Sequence, residues 1–162
     1  MAIVGDSAGG GLALVTLAEL TKASRGVPPV AGVVFSPWVD LAFTGLSMKD
    51  QAIADPLIDH DYLQDCARKY LGSTDSRNPL ASPLFGDLQG LPPLLVQVGT
   101  DERLLDDARQ YAARATEAGA SVELTIFEGM HHVFQLDVAH LESSRVALER
   151  AARFLRSAFD RR

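Results

Sequence analysis

Short runs of apolar residues alternate along this chain with longer segments in which apolar residues recur every three or four positions. The short runs have the length and β-branched content of buried strands, and the longer segments have the period of amphipathic helices. Strands are predicted at residues 1–4, 30–36, 94–98 and 122–127, and helices at residues 9–24, 59–71, 104–118 and 140–159. Residues 38–60 and 73–93 lack a sustained period and are predicted as loops, apart from the start of the second helix. Strands separated by helices of this length indicate an α/β fold with a parallel sheet of about four strands.

The composition narrows the class of protein. A chain of 162 residues, 47% of them hydrophobic, is expected to form one domain over residues 1–162 around a packed core. Its net charge of −6 argues against a nucleic-acid partner, which usually requires a basic surface. Cys66 is the one cysteine, so neither an intrachain disulfide nor a multi-cysteine metal site is expected. No apolar run approaches the roughly 18 residues of a membrane span, and residues 1–4 lack signal-peptide features, so we expect a cytoplasmic protein.

A candidate nucleophile lies where the first predicted strand meets the first predicted helix. Residues 5–9 read Gly-Asp-Ser-Ala-Gly, a G-x-S-x-G pattern that exposes its serine hydroxyl when it forms a sharp strand-to-helix turn. Two simpler explanations exist for the same residues. In the first, Asp6 or Ser7 only caps the helix. In the second, the glycines at 9–11 form an anion-binding nest, although the lysine of a phosphate-binding loop is absent. The strand and helix on either side favour a nucleophilic Ser7.

A serine needs a base to act as a nucleophile at neutral pH, and the base needs an acid to orient it. His131 and His132 follow the last predicted strand, at the edge of a parallel sheet where active sites collect. The simpler explanation of this pair is a loop histidine hydrogen-bonded to backbone. His60 and His140, the other two histidines, are expected to be solvated surface residues. The pair after the last strand therefore supplies the candidate base.

Acidic side chains follow the third predicted strand. Asp101 and Glu102 come shortly after it, and Asp106 and Asp107 follow about one turn later. Carboxylates here also stabilise the start of a helix through its dipole, an explanation that fits Asp106 and Asp107 best. With Asp101 or Glu102 as the acid, the order along the chain is serine, acid, histidine, which differs from both orders found in serine proteases.

Four segments together carry a resemblance to a known family. They are residues 5–10, GDSAGG; residues 36–41, SPWVDL; residues 99–107, GTDE and LLDD around one arginine; and residues 129–134, GMHHVF. With these segments the chain resembles the C-terminal half of the hormone-sensitive-lipase-like (bacterial family IV) carboxylesterases, a branch of the α/β-hydrolases. The resemblance covers essentially the whole chain and implies a partial α/β-hydrolase fold that lacks the family's N-terminal strands and cap. It further implies hydrolysis of short acyl esters, with no metal and no organic cofactor.

The resemblance implies catalytic roles for individual residues. Ser7 is expected to be the nucleophile, and the backbone N–H of Ala8 is expected to be one donor of the oxyanion hole. His132 is preferred over His131 as the base, because the family's histidine is followed by one residue and then an aromatic, as residues 133–134 provide here.

The resemblance also selects the acid. The family's D-P-L-R-D-E segment keeps Leu104 and Asp106 in register when Glu102 stands in the place of its triad Asp. Asp101, one residue out of register, is the runner-up. Asp55 begins a segment, DPLID, that spells the motif better, but it follows no predicted strand and is interpreted as local turn chemistry.

The features that the family places before its nucleophile do not occur in this sequence. Its H-G-G-G loop, which supplies oxyanion-hole donors, is found nowhere in the chain. Because loss of one such donor typically costs about 10²–10³ in rate, ester hydrolysis is expected to be impaired. The alternative is a non-catalytic remnant of the hydrolase fold that acts in assembly or partner binding.

In the family's sheet the corresponding four strands lie side by side in chain order. Because parallel crossovers are right-handed in about 98% of cases, all three crossover helices are expected on one face and the helix at residues 140–159 on the other. The strand at residues 1–4 is then an apolar edge, which is a template for pairing with another chain. We therefore expect a homo-oligomer in which two such strands pair antiparallel about a two-fold axis.

Overall fold

A parallel sheet of four strands forms the centre of the computed structural model, which describes residues 1–23 and 27–161. In chain order and in spatial order, the strands are β1 (Ile3–Asp6), β2 (Gly32–Phe35), β3 (Leu94–Gly99) and β4 (Val122–Phe127). The helices are α1 (Ser7–Ala23), α2 (His60–Leu71), α3 (Leu105–Glu117) and α4 (Glu142–Asp160). The predicted fold class and the consecutive strand order are confirmed.

Helices cover both faces of the sheet. Successive residues of a strand point to opposite faces, so neighbouring apolar residues of one strand pack against different helices. On one face, Val34 of β2 packs in a large cluster with Leu14 of α1 and with apolar residues of α3. On the other, Val33 and Leu95 pack against Ala151 of α4. The expected distribution is confirmed for α1, α3 and α4. Among the described residues, no helix is long and apolar enough to cross a membrane.

α2 departs from the expected arrangement. Its buried residues Leu63 and Ala67 pack with Trp38, Met48 and Leu104 in a separate cluster, none of whose described members belongs to a strand. The expectation that every crossover helix lies on one sheet face is therefore wrong for α2. The long loop after β2 presents an apolar surface of its own, and α2 covers that surface instead of the sheet.

Several element boundaries differ from the predicted ones because backbone pairing decides them. β1 lies two residues later than expected, since Ile3–Asp6 pair with Gly32–Phe35. α1 begins at Ser7 without an intervening loop, and its expected end at Ser24 lies outside the described residues. Two short 3₁₀ helices were not predicted; they are Pro83–Phe85 and Phe134–Leu136.

Candidate active site

Ser7 lies on the turn where β1 passes directly into α1. Its φ of 51° is in the left-handed region, which residues other than glycine rarely adopt. Gly5 permits the turn, because a Cβ at that position would lie 2.3 Å from the carbonyl oxygen of Gly9. A Cβ on Gly9 would meet nothing within 4 Å, so Gly5 is the sterically required glycine of the G-x-S-x-G pattern. The half-buried Ser7 side chain is thus presented from a strained backbone at the start of a helix.

His132 lies beside Ser7, although the two are far apart in sequence. Its Nε2 atom is 2.9 Å from the Oγ atom of Ser7, and the residue is only 4% exposed. His131 makes a different contact, with its Nδ1 atom 2.9 Å from the carbonyl oxygen of His132. The structure therefore brings His132, and not His131, to Ser7.

Glu102 is the carboxylate that reaches His132. Its Oε1 atom is 3.4 Å from the Nδ1 atom of His132, and its side chain is fully buried. This distance is long for a hydrogen bond. Asp101, the runner-up, is exposed, and its carboxylate accepts a hydrogen bond from the hydroxyl of Thr100. Ser7, His132 and Glu102 consequently form one continuous line of polar side chains.

The other carboxylate oxygen of Glu102 is held by two donors that the sequence analysis did not identify. Oε2 accepts hydrogen bonds from Ser36 Oγ at 2.7 Å and from the N–H of Gly99 at 3.0 Å. Ser36 lies in the SPWVDL segment, which was noted only as part of the resemblance. The available signal was a serine at the end of an apolar strand, where a buried hydroxyl requires a polar partner.

The end of β3 supports the histidine loop by direct backbone contact. A Cβ on Gly99 would lie 1.9 Å from the carbonyl oxygen of Met130, so only glycine fits there. The N–H of Asp101 donates to the same carbonyl at 3.0 Å. Asp101 thus contributes its backbone, and not its carboxylate, to the position of the loop that carries His132.

The first turn of α1 provides hydrogen-bond donors next to Ser7. Ala8 is the second residue of this helix, so its N–H has no carbonyl partner within the helix. The helix dipole places partial positive charge at the same end. The N–H of Ala8, predicted as an oxyanion-hole donor, therefore lies at the positive end of α1, in the residue next to Ser7.

An apolar cavity opens beside this helix start. Its volume is about 310 Å³, and its lining includes Ala8, Leu12, Trp38, Cys66 and Tyr70. Small-molecule sites are typically apolar clefts of about 300–1,000 Å³ with a few polar groups, so the cavity is at the lower end of that range. A ligand held in it would lie next to Ala8.

The remaining candidate residues lie outside this arrangement. His60 was expected to be a solvated surface residue, but it is half-buried and packs edge-on against Phe43, because the loop after β2 folds over it. His140 is exposed. Asp55 accepts hydrogen bonds from two N–H groups of its own turn, as interpreted, and also from the N–H of Arg103. Within residues 1–23 and 27–161, no three His, Cys, Asp or Glu side chains are grouped closely enough to hold a metal ion.

The two acidic residues in the first turn of α3 hold a loop. Asp107 Oδ2 accepts hydrogen bonds from the N–H groups of Val39 and Asp40, at 2.9 Å and 3.0 Å. Burial raises the pKa of the Asp107 carboxyl well above its usual value, and the nearby Asp40 carboxylate acts in the same direction. Asp106 accepts from the N–H of Ser47 at 2.9 Å. The helix-dipole explanation offered for this pair therefore misses its main contacts.

A serine on a sharp strand-to-helix turn, followed along the chain by an acid and then a histidine, is characteristic of the α/β-hydrolases. Residues 1–136 match a family model described as alpha/beta hydrolase fold. Because this match extends over most of the chain, the chain belongs to that family.

Curated relatives and solved structures agree with this classification. An acetyl-hydrolase of Streptomyces hygroscopicus is 46% identical over 157 residues, which cover 96% of this chain and 52% of that protein. An esterase of Acinetobacter venetianus is 36% identical, with coverages of 96% and 51%. The crystal structure of an esterase from the bacterial hormone-sensitive lipase family has a TM-score of 0.92 at 44% identity, with coverages of 97% and 52%. The resemblance seen in the sequence is confirmed, and the chain spans about half the length of the relatives it matches.

Proposed function

We propose that this chain carries the catalytic residues of a serine carboxylic ester hydrolase. The observation that carries the proposal is the contact of His132 with Ser7 on one side of its ring and with Glu102 on the other, at 2.9 Å and 3.4 Å. Relatives named acetyl-hydrolase and esterase support an ester as the substrate class.

The proposed reaction has two halves. Ser7 Oγ attacks the acyl carbon while His132 Nε2 takes the hydroxyl proton, and the imidazolium then returns that proton to the leaving alcohol. The acyl group remains on Ser7 until water, activated by the same imidazole, displaces it. Glu102 keeps the proton of the neutral imidazole on Nδ1 and stabilises the imidazolium that forms in each half.

The oxyanion of each tetrahedral intermediate is proposed to bind the N–H of Ala8. The family's further donors, on its H-G-G-G loop, have no counterpart in this sequence. Since loss of one donor typically costs about 10²–10³ in rate, hydrolysis by this chain is expected to be slower than by a site with the complete set of donors.

The apolar cavity beside Ala8 is proposed to hold one arm of the ester. Its lining, which includes Leu12 and Trp38, offers an alkyl group dispersion contacts and relief from water. Its modest volume favours a short acyl ester. A nitrophenyl ester series of increasing acyl length, measured as kcat/KM, tests this assignment.

Covalent labelling tests the proposed nucleophile directly. A fluorophosphonate probe is expected to modify Ser7, as read by peptide mass spectrometry, and labelling should be lost in Ser7→Ala. It should also be lost in His132→Ala, whereas the matched control His131→Ala should retain it. Absence of labelling in folded wild-type protein would instead support the non-catalytic remnant.

We also propose that two copies pair through β1. Among the described residues this strand pairs only with β2, and its Val4 side chain is 51% exposed. An exposed strand edge is a template for antiparallel pairing with a second copy. Light scattering at micromolar concentration should give the mass of a dimer, and Val4→Lys should lower it. A monomeric wild type would contradict this proposal.

A further inference from the structure

The turn that follows β2 contacts all three segments that carry the proposed triad. The N–H of Trp38 donates to the carbonyl oxygen of Ser7 at 2.9 Å. The hydroxyl of Ser36 donates to Glu102 Oε2 at 2.7 Å, and the N–H of Val133, next to the histidine, donates to Ser36 Oγ at 3.1 Å. This one turn therefore connects the nucleophile turn, the acid and the histidine loop.

The direction of the two hydrogen bonds of Ser36 follows from the chemistry of its neighbours. A backbone N–H can only donate, so Ser36 Oγ must accept the bond from Val133. The single hydroxyl proton of Ser36 is then directed at Glu102 Oε2, which accepts it at 2.7 Å. Gly99 supplies a second donor to the same oxygen, and this leaves Oε1 to face the imidazole.

The backbone of Ser36 is held as firmly as its side chain. The residue is fully buried, its φ is 45°, and its N–H donates to the carbonyl oxygen of Gln97 at 2.7 Å. A left-handed conformation at a residue other than glycine costs of order 1–3 kcal/mol, so it persists only where the surroundings enforce it. Val133, the donor to its hydroxyl, is also left-handed, with a φ of 50°. Strained backbone therefore occurs on both sides of the Val133–Ser36 contact.

We propose that Ser36 is a positioning residue of the triad, a role that rests on the proposed ester hydrolysis. By donating to Oε2 and accepting from Val133, its hydroxyl holds the carboxylate plane of Glu102 and the His132 loop in one frame. The consequence is that the imidazole keeps its proton on Nδ1 and its lone pair on Nε2, facing Ser7. Because the contact between Glu102 and His132 is already 3.4 Å long, a small rotation of the carboxylate is enough to break it.

The test compares Ser36→Ala and Ser36→Gly with a matched control, Ser82→Ala. Ser82 is also fully buried, accepts from the N–H of Leu41 and donates to a carbonyl oxygen, that of Ser76. Among the described residues, the hydrogen-bond partners of its hydroxyl are Leu41 and Ser76, and neither belongs to the proposed triad. Ser36→Gly removes the hydroxyl, and glycine adopts the left-handed backbone without strain. This variant therefore separates the effect of the hydroxyl from that of backbone strain, and it is better able to fold than Ser36→Ala.

Three readouts are needed: kcat and KM on a nitrophenyl ester, the rate of fluorophosphonate labelling of Ser7, and the tautomer of His132 from nitrogen-15 NMR of labelled histidines. Both Ser36 variants are expected to lower kcat and the labelling rate with little change in KM. In metal sites, removal of a group that orients a ligand histidine lowers metal affinity or activity by about 10–100-fold. We expect a loss of kcat of the same order here. His132 should change from the Nδ1–H tautomer to a mixture, while Ser82→Ala should change neither rate nor tautomer.

The proposal is overturned if Ser36→Gly keeps the wild-type kcat and the wild-type tautomer of His132. It is also overturned if Ser82→Ala loses as much activity per folded molecule as the Ser36 variants do. A wild-type His132 that is not the Nδ1–H tautomer would overturn it as well. If the wild-type protein is neither labelled at Ser7 nor able to hydrolyse the ester, the proposed function fails. The NMR readout does not require turnover. A tautomer change in Ser36→Gly would then still support the positioning of His132 by Ser36, and an unchanged tautomer would overturn it.

Discussion

Glu102 and Asp107 are both buried carboxylates near the start of α3, and they differ in what faces them. One oxygen of Glu102 faces the imidazole of His132, and the other accepts from Ser36 and a backbone N–H. Asp107 accepts from two backbone N–H groups of the loop after β2. Burial therefore does not distinguish a carboxylate proposed for chemistry from one that holds a loop. The partner does, because an imidazole can take up and release a proton, whereas the backbone N–H groups that face Asp107 cannot.

The two carboxylates nevertheless act on the same stretch of chain. Asp107 binds the N–H of Val39, and Ser36, only a few residues earlier, binds Glu102. Asp107 thus holds the far side of the turn whose near side contacts the proposed triad acid. We expect substitution of Glu102 to lower the reaction rate and substitution of Asp107 to lower the stability.

The largest expected effect is that of Glu102→Gln on rate. A glutamine of the same shape no longer selects the imidazole tautomer, and in a serine triad that error costs about 10⁴ in kcat. The rate of Ser7 labelling and kcat should both fall, while thermal unfolding changes little. A variant that labels at close to the wild-type rate would remove Glu102 from the proposed triad.

Asp107→Ala is expected to act on stability. It leaves two buried N–H groups without an acceptor, and each costs on the order of 1–3 kcal/mol in the free energy of unfolding. Urea unfolding measures this loss. Asp106→Ala is the matched control, since Asp106 is less buried and accepts from one loop N–H, and it should lose less. A larger loss of labelling rate per folded molecule in Asp107→Ala than in Glu102→Gln would reverse the comparison.

Asp107→Asn should change how stability depends on pH. The pKa of Asp107 is raised in the folded protein above its ordinary value near 3.9, so its contribution to stability is complete below that value and is lost as the pH rises through the folded pKa. Asparagine does not titrate. The free energy of unfolding of the variant, relative to wild type, should therefore increase from about pH 4 towards neutral pH. A difference that stays flat or decreases in urea titrations would contradict the raised pKa.

The smallest effects are expected at the two residues next to the proposed triad. Asp101→Asn changes an exposed carboxylate bonded to Thr100, and His131→Ala removes a ring that contacts a neighbouring carbonyl. Such substitutions usually stay within about 0.5 kcal/mol of wild-type stability, and we expect near wild-type labelling of Ser7. If His131→Ala were the inactive variant, the proposed base would be wrong.

The sequence by itself determined the elements and their class. Apolar runs of strand length between helices with an amphipathic period have few alternatives to a parallel α/β sheet, and all four strands were predicted from this pattern. Their order within the sheet was implied by the family resemblance and not by the pattern. The G-x-S-x-G pattern could be interpreted because its strand and helix are its immediate neighbours. The start of β1 was misplaced by two residues, because pairing with β2 and not local hydrophobicity decides where β1 begins.

The family resemblance already preferred Glu102 and His132, but only the tertiary structure shows which polar side chains meet. Asp101 and Glu102 are adjacent in sequence, yet one side chain is exposed and the other is fully buried against His132, because the turn after β3 directs neighbours to opposite sides. The partners of Ser36 lie 66 and 97 residues further along the chain. No local pattern reports contacts at that separation. They exist because the parallel register brings the carboxyl ends of β2, β3 and β4 to one edge of the sheet, where their loops exchange hydrogen bonds.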